Sequence, residues 1–150
     1  MHACSHPIEA LLKHRAPMLL LDEVVGYDAS GIVASVVIRR GNLFATPKGV
    51  PGHVALEYMA QACGAYAGAV ALDAGEQVRI GFLLGTRMCR VAMPWFPLGA
   101  RLMISATVVY HDEQMAAFDC KIEVDGRLGA EAQLKVYQPD DEMLQRIEVE

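Results

Sequence analysis

The strongest pattern in the chain is a long apolar stretch between residues 54 and 72, built mainly from small side chains. Around and within it, polar and glycine positions are spaced by four, four, three and four residues, which places them on one helix face: His53, Glu57, Gln61, Gly64 and Gly68. A helix that is apolar on its other sides is typical of a buried helix. Pro51 and Gly52 favour a helix start, and Gly75 is typical of a C-terminal cap. The pattern therefore predicts a buried central helix.

Most of the remaining chain has the pattern of antiparallel strands. Alternating residues predict a hairpin over 19–40, and the Asp125-Gly126 pair predicts a tight turn between two later strands. The predicted elements are a short amphipathic helix at 7–14, the hairpin, a loop at 41–49, the central helix, strands at 77–84 and 87–93, a turn at 93–99, and strands at 100–110, 115–124 and 127–137. One long helix must bury its surface in the single sheet. The sequence therefore predicts one α+β domain over residues 1–150.

Composition narrows the classes of partner. The chain is 53% hydrophobic and has a net charge of −5, which argues against nucleic acid as a partner. The tail that begins at Pro139 is strongly acidic, whereas the stretch from 79 to 101 holds no acidic residue and four arginines: Arg79, Arg87, Arg90 and Arg101. This basic stretch has two interpretations, a solvated strand face or a surface for an acidic partner or a phosphate.

Cysteine and histidine positions argue against a metal site. The four cysteines stand far apart and lack metal-ligand spacing, so we expect free thiols in a reducing compartment. The N-terminus lacks the charged and apolar regions of a secretion signal. The apolar helix contains Glu57 and Gln61, which argues against a membrane span. We therefore expect a cytoplasmic protein with no membrane span and no metal ion.

Two segments resemble a known enzyme family. HRAPMLLLDEV (14–24) resembles the opening of the FabZ/FabA-type 3-hydroxyacyl-[acyl carrier protein] dehydratases, and PGHVALEYMAQACG (51–64) is similar to the start of their central helix. The run from 81 to 102 is similar to their later strands. The resemblance spans residues 7–137 and is closest to the ApeP-like branch, found with aryl polyene biosynthesis. It implies the hotdog fold, a long helix wrapped by a curved antiparallel sheet, and dimers that form edge to edge.

The resemblance implies roles for three residues. Glu57 matches the family's acidic residue, which handles the β-hydroxyl of the substrate, and Gln61 matches a glutamine that orients this carboxylate. Gly52 lies where a free backbone N–H at the helix start would bind the thioester carbonyl, helped by the helix dipole. Structural interpretations stay open: Glu57 as an exposed first-turn acid, Gln61 as the partner of a backbone carbonyl, and Gly64 and Gly68 as packing positions.

The family's catalytic histidine has no counterpart at its usual place. It belongs to a His-Phe-Pro motif eight residues before the proline of proline-glycine, where this chain has Leu43-Phe44-Ala45. Three hypotheses for the base stay open. His53, four residues before Glu57, replaces it within the chain; a partner chain supplies it across a shared dimer site; or the chain has lost catalysis and supports an active partner. His14 and Arg15 are expected to fix their loop structurally.

The function implied by the resemblance is elimination of water from a 3-hydroxyacyl thioester to give the 2-enoyl thioester, in fatty acid or aryl polyene biosynthesis. The substrate would be carried on the phosphopantetheine of an acyl carrier protein, with no other cofactor, and the arginines would contact that acidic partner or its phosphate. Two alternatives remain. One is a hotdog acyl thioesterase, and the other is a non-catalytic or half-site subunit of a heterodimeric dehydratase.

Overall fold

The computed structural model describes residues 1–112 and 114–139, so the acidic tail after Pro139 lies outside the described residues. The elements in the described chain are β1 (His2–Ala3), α1 (Ile8–Leu11), β2 (Glu23–Asp28), β3 (Gly31–Val37), β4 (Val50–Pro51), α2 (Ala55–Asp73), β5 (Phe82–Val91), β6 (Trp95–Phe96), β7 (Arg101–His111), β8 (Met115–Val124) and β9 (Arg127–Tyr137). A 3₁₀ turn at Gly52–Val54 leads into α2. Within these ranges, no helix is long and apolar enough to cross a membrane.

Seven strands form one antiparallel sheet in the order β1-β2-β3-β7-β8-β9-β5, and β4 pairs with β6 in a separate ribbon. The predicted hairpin is present as β2 and β3, with Val24 opposite Ala34. The predicted turn at Asp125-Gly126 joins β8 to β9, and both residues have positive φ (52° and 77°), as a type I′ turn requires. The α+β class and the strand pairing predicted for the last third of the chain are therefore confirmed.

Helix α2 packs against one face of this sheet. Strands alternate their side chains between two faces, and the residues buried with α2 follow that period of two: Ile32, Ala34, Val36, Leu102, Ile104, Ala106, Phe118, Cys120, Ile122, Ala130, Ala132 and Leu134. The helix ends at the predicted glycine. Gly75 has φ 73° and donates to Leu72 O, while Glu76 N–H donates to Ala71 O at 2.8 Å, which together make a Schellman cap.

Helix α2 is less buried than the sequence predicted. One line along it is only half-buried, and most of this line borders open cavities: Leu56, Ala60, Gly64, Ala67 and Ala71. The apolar pattern identified the helix correctly. It could not show that one side of the helix borders cavities and is not fully packed.

Three element boundaries also differ from the prediction. The strands predicted at 77–84 and 87–93 are replaced by one strand, β5, whose pairing with β9 shifts register between Leu83 and Gly85 and again between Arg87 and Arg90. The first helix is limited to Ile8–Leu11. Trp95–Phe96, predicted as part of a turn, forms β6 because it pairs with Val50–Pro51, a distant segment that local pattern does not identify.

Gly68 lies directly against the backbone of α1. A Cβ atom at Gly68 would lie 2.1 Å from the carbonyl oxygen of Leu11, so only glycine allows this approach. At Gly64, one turn earlier, a Cβ would meet only the end of the Leu12 side chain, at 2.9 Å. The packing interpretation of Gly68 is therefore confirmed.

We expect Gly68→Ala to lower the free energy of unfolding by about 1–3 kcal/mol, because a backbone carbonyl cannot yield as a side chain can. Gly64→Ala is the matched control on the same helix. Its neighbour is a flexible side chain and alanine favours the helix, so we expect a change of less than about 1 kcal/mol. Urea unfolding of both variants measures the difference, and equal midpoints would contradict the packing role.

Candidate active site

Glu57 lies in the first turn of α2 and lines a cavity of about 170 Å³, which we name the Glu57 cavity. The cavity lies between the segment 11–14, one side of α2 and the segment 79–83. The Glu57 side chain is 45% exposed, so a solute can reach the carboxylate. The carboxylate is thus neither sealed in the core nor free of neighbours.

The neighbour that holds Glu57 is Gln61, whose side chain is almost fully buried one turn further along α2. Its Nε2 donates to Glu57 Oε1 at 3.0 Å and to the carbonyl oxygen of Met18 at 2.8 Å. Its Oε1 accepts from the N–H of Leu20 at 2.9 Å. The amide therefore contacts the carboxylate and also satisfies backbone groups, as the structural interpretation of Gln61 expected.

His14 faces the same carboxylate, which sequence reasoning missed. Its Nε2 lies 3.9 Å from Glu57 Oε1, and both residues line the Glu57 cavity. Arg15 does fix the loop as expected, since its Nη1 donates to the carbonyl oxygens of Leu12 and His14 at 2.8 and 2.7 Å. The signal that could have revealed His14 is weak. A glutamine buried in an apolar helix needs hydrogen-bond partners. The backbone of the motif that begins at residue 14 provides them, which brings this motif close to the helix.

His53 and Gly52 are placed differently from Glu57. His53 is exposed, belongs to the 3₁₀ turn before α2, and is not among the residues that line the Glu57 cavity. The N–H of Gly52 donates to the carbonyl oxygen of Pro94 at 2.9 Å, so it is not the free donor that we expected. The glycine is needed there for packing, because a Cβ would lie 2.1 Å from the carbonyl oxygen of Met93.

A second cavity, of about 420 Å³, continues from the first along α2. The two share Gly64, Arg79, Gly81 and Val136 in their walls. The second is bordered by side chains of α2 and the sheet, among them Tyr66, Val70, Val108 and Phe118. An apolar chain that entered beside Glu57 would therefore meet mainly apolar walls beyond Gly64, with polar side chains such as Glu76 and Gln138 among them.

Cys63 also borders the second cavity, where its surroundings disfavour the thiolate form. Burial raises its pKa well above the usual value, and a hydrogen bond with Cys120, at 3.6 Å between the sulfur atoms, raises it further. The reactive form of cysteine is the thiolate. Within the described ranges, no three His, Cys, Asp or Glu side chains are grouped so that they could hold a metal ion. The side-chain groups nearest the carboxylate of Glu57 are the imidazole of His14 and the amide of Gln61.

The position that the resemblance assigns to the family's histidine is occupied by Leu43. Leu43 borders a different cavity, which it shares with Leu20 and Tyr58, and not the Glu57 cavity. The next residue, Phe44, has φ 73° and is 47% exposed. Within one chain, this loop does not bring its side chains to Glu57.

The four arginines of the basic stretch do not form one patch. Arg101 begins β7, three strands from β5 in the sheet order, and lies 3.4 Å from Glu23 Oε1. Arg87 and Arg90 lie on β5. Arg79 alone of the four borders both cavities, and no ion pair to it is present among residues 1–112 and 114–139. Of the predicted set, Arg79 is the one near Glu57.

Comparison with known proteins agrees with this fold. A chain of the dehydratase heterocomplex ApeI:P from Xenorhabdus doucetiae is 29% identical, with a TM-score of 0.87 over 96% of this chain and 98% of that chain. The 3-hydroxyacyl-[acyl-carrier-protein] dehydratase FabZ of Anaeromyxobacter dehalogenans is 31% identical over 143 residues, 90% of each chain. FabZ of Thiobacillus denitrificans is 32% identical over 130 residues, 82% of this chain and 88% of that one.

These similarities define the class of protein: the chain is a hotdog-fold protein of the dehydratase type. The model of the ApeP-like family, described as ApeP dehydratase, matches residues 6–148. This chain belongs to that family. A hypothetical thioesterase from Streptococcus pneumoniae, solved with coenzyme A, has a TM-score of 0.61 but only 14% identity, and shares the fold alone.

We expect Gln61→Leu to lower the free energy of unfolding by about 1–3 kcal/mol, because the buried N–H of Leu20 would lose its acceptor. Gln133→Leu is the matched control, since its hydrogen bond to Asp119 lies at the surface of the sheet. We expect that control to change stability by no more than about 0.5 kcal/mol. Chemical denaturation measures both, and a Gln61→Leu protein as stable as the control would show that the amide does not hold the loop.

Proposed function

We propose that this chain is a 3-hydroxyacyl-[acyl carrier protein] dehydratase whose acid is Glu57. The observation that carries the proposal is the carboxylate itself, which is hydrogen-bonded to Gln61 and lines a cavity in a protein of a dehydratase family. Its named relatives act on 3-hydroxyacyl-[acyl-carrier-protein] substrates, which agrees with this assignment. Fatty acid or aryl polyene biosynthesis is the proposed setting, and the cytoplasm the proposed location.

The proposed reaction removes water from a 3-hydroxyacyl thioester. Glu57, when protonated, gives its proton to the leaving β-hydroxyl, while a base takes the α-proton and donors stabilise the thioester carbonyl as it gains negative charge. The amide of Gln61 restricts the carboxylate to one orientation, which lowers the entropic cost of aligning it with the substrate. The second cavity is the proposed site for the acyl chain, because its walls continue from Glu57 past Gly64.

The proposed carrier of the substrate is an acyl carrier protein with a phosphopantetheine arm. Arg79 supports this proposal, because it is among the residues that line both cavities. An arginine binds phosphate and carboxylate groups through charge-assisted hydrogen bonds. We therefore assign to Arg79, rather than to Arg101, the contact with the acidic carrier or with its phosphate.

We propose that the working form is a dimer that pairs through β5, either with a second copy or with another dehydratase-like chain. Strand β5 is at one end of the sheet, all ten of its residues are exposed, and Leu84 and Met88 are 53% and 86% exposed. An exposed apolar edge strand favours pairing with another strand. The related ApeI:P structure is a heterocomplex, which supports the second form.

Two alternatives differ in product. A hotdog thioesterase would use Glu57 to activate water and release a free acid, and a non-catalytic subunit would release nothing by itself. Only fold-level similarity favours the thioesterase, because the matching thioesterase structure is 14% identical. The dehydratase is favoured because relatives above 30% identity carry that activity.

We expect Glu57→Gln to lower kcat for water elimination by about 100-fold or more, because an amide cannot donate the proton. The substrate is a 3-hydroxyacyl carrier protein, and mass spectrometry follows the loss of water, with and without a histidine-bearing dehydratase partner. Glu123→Gln is the control, since Glu123 is exposed on β8. Full activity in Glu57→Gln would reject this acid, whereas free acid from the wild type would favour the thioesterase.

We expect Leu84→Lys to raise the dissociation constant of the dimer about 10-fold or more, because a charge on the edge strand opposes strand pairing. Val109→Lys is the matched control, since Val109 is 49% exposed but lies on β7, inside the sheet. Analytical ultracentrifugation over a range of concentrations measures both. Equal dissociation of the two variants would place the interface elsewhere.

A further inference from the structure

We infer that His14 is the general base of this site and acts beside Glu57 from within the same chain; the inference rests on the proposed dehydratase function. The ring of His14 and the carboxylate of Glu57 border one cavity, with 3.9 Å between Nε2 and Oε1. This distance is longer than a hydrogen bond, so the two side chains are not bonded to each other, and Oε2 of Glu57 is left beside the Oε1 that Gln61 binds.

The backbone of His14 is held in place by hydrogen bonds that do not involve its imidazole ring. Gln61 binds the backbone of the loop at Met18 and Leu20, and Arg15 binds the carbonyl oxygen of His14 itself. The ring makes no hydrogen bond within the described residues, and its side chain is 40% exposed. A histidine kept for structure alone is usually hydrogen-bonded through its ring. Here the surrounding bonds present the ring to the cavity.

The other imidazoles are less well placed. His53 is exposed and does not line the Glu57 cavity, and His111 borders only the second cavity. His2 and His6 belong to the N-terminal segment, where His6 Nε2 lies 3.3 Å from Asp73. The charged groups that border the Glu57 cavity are Lys13, His14, Glu57 and Arg79. Within the described ranges, His14 is the histidine with a ring nitrogen within 4 Å of the proposed acid.

The step balances with these two groups alone. Nε2 of neutral His14 takes the α-proton, and the electron pair of the C–H bond becomes the second bond between Cα and Cβ. The Cβ–O bond breaks with its electron pair as protonated Glu57 gives a proton to the hydroxyl, and water leaves. The proton gained by His14 then returns to Glu57, directly or through a water molecule. Both groups are restored, and no further reactant is needed.

The test compares His14→Asn, His53→Asn and, as the control, His2→Asn. Each variant is given 3-hydroxybutyryl-[acyl carrier protein], alone and with a histidine-bearing dehydratase partner, and water loss is followed by mass. We expect His14→Asn to lower kcat by about 100-fold or more under both conditions, and His2→Asn to change it by less than twofold. More than a tenth of wild-type turnover in His14→Asn overturns the inference. So does a loss that follows His53→Asn or the partner's histidine instead.

A second measurement separates this inference from the proposed function. Butyryl-[acyl carrier protein] has no hydroxyl to eliminate, so exchange of its α-protons in D2O reports the base alone. Exchange by the wild type that His14→Asn abolishes and His14→Gln does not restore supports the inference, even if no variant eliminates water. Exchange that is absent from the wild type, or that survives in His14→Asn, overturns it. Circular dichroism of each variant excludes unfolding as the cause of any loss.

Discussion

The rest of the site depends on the hydrogen bonds made by one side-chain amide, that of Gln61. It lies in the apolar interior, where an unpaired polar group is costly, and its hydrogen bonds join three parts of the chain. The loop after α1 is held at Met18 and Leu20, and the carboxylate of Glu57 is held one turn away on α2. A single buried side chain thus sets the distance between the loop and the proposed acid. For that reason stability and chemistry are coupled at this position.

The site lies between the packed core of the chain and a surface that the chain leaves exposed. On one side, α2 packs tightly on the sheet and on α1, with Gly68 against the backbone of Leu11. On the other side, the helix is half-buried, the cavities are open, and β5 exposes its full length. Residues of the segment 79–83, which leads into β5, line the two cavities. A second chain on β5 would therefore both bury apolar surface and complete the walls around the substrate.

Whether the catalytic base comes from a partner chain or from this chain decides how far this chain keeps the catalytic arrangement of its family. Leu43 occupies the position expected for the family's histidine, and it borders a different cavity from Glu57. A histidine from a partner and His14 from the same chain are thus two different solutions to one chemical need. The first makes each site the product of two chains, whereas the second makes each chain complete and leaves the partner a role in burial. The proximity of His14 to Glu57 favours the second solution.

The sequence by itself determined the elements that depend on local pattern. The apolar run with its glycine cap defined α2, alternation defined the β2–β3 hairpin, and Asp125-Gly126 defined a turn that needs positive φ. Spacing also placed Glu57 and Gln61 on one helix face, and the family resemblance implied that they act as a pair. Only the tertiary structure decided the rest. His14 and Gly52 depend on contacts across 43 and 42 residues of sequence, from His14 to Glu57 and from Gly52 to Pro94, and no local periodicity encodes such a contact.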